Sequence, residues 1–132
     1  MFLKFLYKLQ KYEEKKILIN KKELTAIISD SFIKHMIGLM FRESLDKKSC
    51  MLFIFNRNAH HGVWMHNMRF PIDVIWLNEE MRLEDFVENI QPCKTLNCKT
   101  YTPKKMVKYI IELNSGFIGS NKINKNSKFA LR

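Results

Sequence analysis

Short apolar stretches punctuated by Asn, Lys, Gly and Pro fill most of the chain, and one segment alone in the first half carries a clear helical period. Lys16-Ile-Leu-Ile-Asn20 and Glu23-Leu-Thr-Ala-Ile-Ile-Ser29 flank Asn20-Lys21-Lys22, which predicts a β-hairpin. Asp30 or Ser31 then caps a helix in which Phe32, Ile33, Met36, Ile37, Leu39 and Met40 recur at helical spacing up to Phe41. Gly38 inside that pattern marks a close-packing point or an early helix end. Met51-Leu-Phe-Ile-Phe55 is continuously apolar and predicts a strand buried on both faces, with Asn56, Arg57 and Asn58 as turn residues after it.

Gly62–Asn67 and Asp73–Asn78 are two further strand-like runs, and Pro71 assigns the stretch between them to a connection. Met81–Ile90 returns as a strand after a turn at Asn78-Glu79-Glu80, with its acids toward water. Residues 91–105 read as an irregular loop, longer than most connections. Val107–Asn114 is a long strand, Ser115-Gly116-Phe117 opens a short helix, and Lys128–Arg132 closes the sheet. The expected fold is therefore mainly β (α+β): one small domain whose antiparallel sheet curls into a partly closed barrel, with one or two short helices. Residues 1–16 form a basic N-terminal extension with a helical apolar face of Phe2, Phe5, Leu6 and Leu9, and residues 17–132 form the β-rich domain.

Composition agrees with a globular chain. Its 132 residues are 46% hydrophobic with 10 Phe, 4 Gly and 3 Pro, which excludes collagen-like and fully disordered classes. The net charge of +10 is mostly terminal. Residues 1–16 set five lysines against Glu13 and Glu14, and residues 121–132 carry Lys122, Lys125, Lys128 and Arg132 with no acid. The body lacks a basic groove interleaved with aromatics, so nucleic acid enters only as an alternative, through weak, salt-sensitive association of the termini. Cys50, Cys93 and Cys98 are an odd number without a secretory context, which favours reduced thiols and a cytoplasmic location. No apolar run approaches the roughly 20 residues that span a bilayer.

An ordered series of blocks then stands out: Gly38-Leu-Met-Phe-Arg42, Met51-Leu-Phe53, Trp64-Met65 with Asn67, Pro71-Ile72-Asp73, and Tyr109–Asn114 followed by Gly116. Over about residues 17–131 the chain resembles the uncharacterised protein family known as domain of unknown function 192, or uncharacterised protein family 0127. The resemblance implies a small β-rich domain and brings no established activity. The chain departs from the family pattern at Cys50, where glycine is usual, at His66, where lysine is usual, and at Asn78-Glu79-Glu80, which replaces an aspartate-glycine hairpin.

The leading polar constellation is Arg42, Asn67 and Asp73 with Trp64 and Met65 beside them. If two strand ends met the helix end, a guanidinium, an amide and a carboxylate would converge beside an aromatic wall, a site for a small anionic or planar ligand. The competing assignment is an Arg42–Asp73 ion pair that only fixes the helix to the sheet. His60, His61, His66, Cys93 and Cys98 supply zinc-type ligands, yet their spacing lacks the paired-knuckle form, so no metal and no cofactor is expected. No P-loop, dinucleotide fingerprint or nucleophile elbow is present. The expected function is a non-enzymatic domain that binds a small ligand or a protein partner, with an enzyme of undefined reaction as a further alternative.

Overall fold

The computed structural model describes residues 2–132. Lys22 follows Asn20 and Lys21, and the left-handed φ of +55° at Asn20 closes the first hairpin between β1 (Glu14–Ile19) and β2 (Lys22–Ser29). β1 thus begins inside the segment read as an extension, which itself opens with helix α1 (Phe2–Leu9). Ser31 caps α2 (Phe32–Ile37), its hydroxyl accepting from the Lys34 N–H at 3.2 Å. The helical pattern continues to Phe41, yet the helix stops at Ile37 because Gly38 turns to a φ of +51°.

After α2 the chain re-enters the sheet as β3 (Ser49–Ala59), parallel to β2. β3 runs on through Asn56–Asn58, the residues expected to form a turn, with an irregularity in its pairing between Ile54 and Ala59. β4 (Val63–Trp64) is only two residues long and pairs with β7 (Thr100–Tyr101), inside the segment expected to be an irregular loop. β5 (Ile72–Leu77), β6 (Leu83–Ile90) and β8 (Val107–Asn114) are antiparallel neighbours in the order β6-β5-β8, and α3 (Phe117–Ser120) precedes β9 (Phe129–Leu131). Seven strands in the order β6-β5-β8-β3-β2-β1-β9 make a curled half-barrel, antiparallel except at β2 and β3. The mainly β, single-domain expectation holds.

Strand alternation gives the sheet two buried faces, each covered by segments that connect or extend the strands. Ile17, Ala26, Leu52, Ile75, Ile111 and Leu113 form the first face, covered by Ile118 of α3 and by Ile123 and Phe129. Met51, Phe53, Val74, Trp76 and Ile110 form the second, covered by Leu39, Leu45, Met65 and Met68. The basic C-terminal segment is therefore not a tail. Ile123 and Phe129 bury its apolar positions, and β9 pairs along β1.

The expectation of three reduced thiols is corrected. Cys93 and Cys98 are joined in a disulfide across a five-residue separation, held near the sheet by the Cys93 N–H donating to the Met65 carbonyl at 3.0 Å. The remaining cysteine, Cys50, is buried on the first face, where desolvation pushes its thiol up to about 12. With two of three thiols paired, cysteine count no longer points to a reducing compartment. Among the described residues, no helix is long and apolar enough to cross a membrane.

Candidate functional site

Asp73 is the best-determined of the sequence candidates. It stands on β5 in phase with Ile75 and Leu77, so its side chain enters the first face, where it is fully buried. One carboxylate oxygen accepts from the Asn89 N–H at 2.8 Å, and the other accepts from the N–H groups of Gly116 at 3.2 Å and Ile118 at 2.9 Å. The carboxylate is thus spent on backbone donors at a bend of β6 and at the start of α3. Asn89, at a φ of +52°, and Gly116, at +97°, are the two turns it locks.

Arg42 lies elsewhere. Its guanidinium sits over the rings of Tyr7 and Tyr12, at 5.8 Å and 5.3 Å, and Tyr12 packs on the second face. The expected convergence of Arg42 and Asp73 is therefore corrected: a strand's alternation sends Asp73 through the sheet, away from the side on which the chain leaving α2 runs. The ion-pair alternative fails for the same reason. Arg42 instead pins α1 through cation–π contact, and burial raises the Tyr12 hydroxyl's pKa against the opposing effect of that guanidinium. Arg42→Met is expected to lower stability by about 1–2 kcal/mol through lost contact with both rings. Protease nicking of residues 2–12 would become faster, and an unchanged cleavage rate would refute this role.

Asn67 joins the Arg42 segment rather than Asp73. At a φ of +58° it turns the chain, its carbonyl accepts from the Phe41 N–H at 3.1 Å, and its amide rests 3.8 Å from the Met40 sulfur. Met65 is core, 1% exposed on the second face. Arg42 lines a small pocket with Tyr7 and Tyr12, whereas Trp64 lines a separate, large open cavity. Trp64 is 43% exposed and leans on His66, with ring centroids 5.0 Å apart.

That cavity, of about 580 Å³, lies between α2 with the residues after it and the second face of β3 and β8. Its walls are mainly apolar, including Met36, Leu39, Phe53, Phe55 and Ile110, with Trp64 at the edge. Volume and lining match sites that enclose small molecules. Gly38 brings the chain close at the end of α2: a Cβ there would lie 3.3 Å from the Phe53 ring and 3.7 Å from Glu112 Oε1. The turn at positive φ and the close approach both require glycine.

The charged and imidazole side chains facing the cavity are His35, Arg57, His61 and Glu112; Arg57 is exposed at its edge and the two histidines are engaged. The Nε2–H of His35 is shared between the carbonyls of Ser29 and Ile54, each at 2.9 Å, and burial lowers this histidine's pKa. His61 stacks on Phe55, with centroids 3.7 Å apart, and its Nε2 lies 2.9 Å from the Arg57 carbonyl. Glu112 is different. It is 5% exposed, its Oε1 has no hydrogen-bond partner among the described residues, and burial pushes its carboxyl up to about 8. Sequence reasoning passed over Glu112. The available signal was a lone acid inside the apolar run Tyr109-Ile-Ile-Glu-Leu113; the fold places it with Ile110 on the cavity side of β8.

The zinc-type side chains do not assemble. His60 contacts the Pro103 carbonyl, His61 stacks on Phe55, and His66 lies by Cys98 at 3.6 Å. Among the described residues no three His, Cys, Asp or Glu side chains gather closely enough to hold a metal ion.

The family model DUF192, described as "Uncharacterized ACR, COG1430", matches residues 15–131. The chain belongs to this family. Other DUF192 proteins that it resembles include the UPF0127 protein TK1120 of Thermococcus kodakarensis, 34% identical over 92 residues, which are 69% of this chain and 54% of that protein. UPF0127 protein PF1050 of Pyrococcus furiosus is 33% identical over 92 residues, 68% of this chain and 72% of that protein. The chain spans about half the length of the first two curated relatives it matches. Two solved structures share the DUF192 fold seen here. One is a Sinorhizobium meliloti protein described provisionally as a transcription regulator, with a TM-score of 0.82 at 20% identity over 92% of this chain and 96% of that one. The second is a protein of unknown function from Novosphingobium aromaticivorans, with a TM-score of 0.80 at 17% identity over 92% and 94%. At these identities the likeness concerns fold.

Proposed function

We propose that this DUF192 domain binds a small, largely apolar molecule in the cleft between α2 and the β3–β8 face, with Trp64 at its rim and Glu112 at its base. The supporting observation is a cavity of about 580 Å³ with aromatic walls and one buried, unpartnered carboxyl. A buried carboxyl left without a partner costs stability, and such groups concentrate where a ligand completes them. The reading keeps Trp64 from the sequence-derived site and leaves Arg42, Met65, Asn67 and Asp73 in structural roles.

A neutral solvatochromic dye, N-phenyl-1-naphthylamine, tests it. The dye should brighten on mixing with the full chain and quench tryptophan emission, since Trp64 stands at the rim and the indole N–H of Trp76 donates to the carbonyl of His61, a cleft-lining residue. Met36→Trp, which fills the cleft from α2, should abolish the brightening and leave the melting temperature within a few degrees of the parent. Dye binding that survives Met36→Trp unchanged would refute the cleft as the site.

A further inference from the structure

We infer that the ligand of this cleft is a small organic amine held as its ammonium ion, with the Glu112 carboxylate as counter-ion and the rings of Phe53 and Trp64 as walls. The inference rests on the cleft being a ligand site and adds the ligand's chemical class.

Three observations carry it. The first is the hydrogen-bond inventory. His35 donates to two carbonyls and His61 is occupied at Nε2, so among the described residues Glu112 Oε1 is the buried side-chain atom of the cleft still free to bond. A carboxylate only accepts, and an ammonium group brings three donors to it. The second is the character of the walls. One face of Phe55 is taken by His61, so Phe53 and Trp64 supply the aromatic lining, and an aromatic face carries partial negative charge, which attracts a desolvated cation and repels an anion. The third is the close approach at Gly38. A side chain there would crowd both Phe53 and Glu112 Oε1, so the glycine keeps the carboxyl open toward the cavity.

The surroundings of Glu112 also decide what binding does to protons. α2 contributes His35 to the cleft, β3 contributes Arg57, and the β3–β4 connection contributes His61. The register partners of Glu112, Met51 on β3 and Val74 on β5, carry no charge. Arg57 is exposed, and His35 is held toward its neutral form by burial. No adjacent charge therefore compensates an ionised Glu112, and desolvation keeps the empty site protonated at neutral pH. An arriving ammonium reverses this. The carboxyl O–H bond breaks, the proton leaves to water, and the resulting carboxylate accepts hydrogen bonds from the ammonium, which keeps its own three protons. One positive charge enters and one leaves, so the overall charge of the protein, already +10, is not increased by binding.

Isothermal titration calorimetry on the full chain, with 2-phenylethylamine, 2-phenylethanol and 3-phenylpropionate as probes of similar size, tests the inference. In two buffers of different ionisation enthalpy, the amine should release close to one proton, and the alcohol none. Amine affinity should rise about tenfold per pH unit below the Glu112 pKa and level off above it. The amine should bind about tenfold or more tightly than the alcohol near that pKa. Glu112→Gln should remove the preference for the amine and keep alcohol binding. The proton count needs only the parent protein, so it stands even if this variant fails to fold. Equal affinity for amine and alcohol, absence of proton release, or tightest binding of the acid would overturn the ammonium assignment and leave a ligand cleft in place. If none of the probes binds, the cleft reading falls as well.

Discussion

Asp73→Ala is expected to remove about 3–5 kcal/mol of folding stability, because three backbone N–H groups lose a charged acceptor together. Two of those donors belong to Gly116 and Ile118 at the start of α3, and the third belongs to Asn89 at a turn in β6. Ile118 is 3% exposed, so water cannot readily replace the lost bond. Domains of this size are stable by only about 5–15 kcal/mol, so the loss is a large share of the total. Asp73→Asn retains one acceptor oxygen and should lose roughly half as much. Dye binding in the cleft should persist in the folded fraction of either variant, because Asp73 lies on the opposite face. Urea denaturation measures the effect, and a loss below about 1 kcal/mol for Asp73→Ala would contradict the assigned role.

Glu112→Gln has the opposite sign, and its effect depends on pH. The Glu112 carboxyl titrates at about 8 in the fold against an ordinary value of 4.5. Below the ordinary value the group is protonated whether folded or unfolded and contributes no pH dependence. As pH rises between the two values, the unfolded chain ionises while the fold must hold its proton, so the parent protein loses stability. Above the folded value the loss is complete, on the order of 4–5 kcal/mol. Glutamine cannot ionise. The stability of Glu112→Gln relative to the parent should therefore grow with pH by about 1.4 kcal/mol per unit across this window and then level off. Whatever the amide costs in the cavity shifts that difference by a constant. Thermal or urea denaturation at a series of pH values reads it directly, and a difference that stays flat from acid to alkaline pH would refute a neutral buried Glu112.

Much of the architecture was legible in the chain. Asn20-Lys21-Lys22 between two β-prone runs gave the first hairpin, Ser31 marked the start of α2, and the continuous apolar run at 51–55 announced a strand buried on both faces. The parallel pairing of β2 and β3 was not legible, because nothing local distinguishes a helix that crosses over from one that folds back. The stretch at 62–67 looked like a strand, yet Asn67 adopts a left-handed turn, and the pairing is reduced to Val63 and Trp64 with β7 and an isolated bridge from His66 to Cys93. Hydrogen bonding to residues 100–101, far along the chain, decided that outcome.

The site divides in the same way. Trp64 could be picked out as an aromatic in a specific block, and it does line the cavity. Asp73 misled because all of β5 is buried: a strand that is apolar on both sides gives no alternation from which to tell which face a single acid enters. Glu112 stands in the same kind of strand, but its neighbours in space, Gly38, Phe53 and the end of α2, belong to segments dozens of residues away. Only the folded chain shows that one acid meets backbone donors and the other meets open space.

The most direct test is a carbon-13 NMR titration of the Glu112 side-chain carboxyl, assigned by comparison with Glu112→Gln, with and without saturating 2-phenylethylamine. Titration near 8 is expected in the free protein and, with the amine bound, a carboxyl already ionised well below neutral pH. A carboxyl that titrates in the ordinary glutamate range, or one whose signal ignores the amine, would contradict the role given to Glu112.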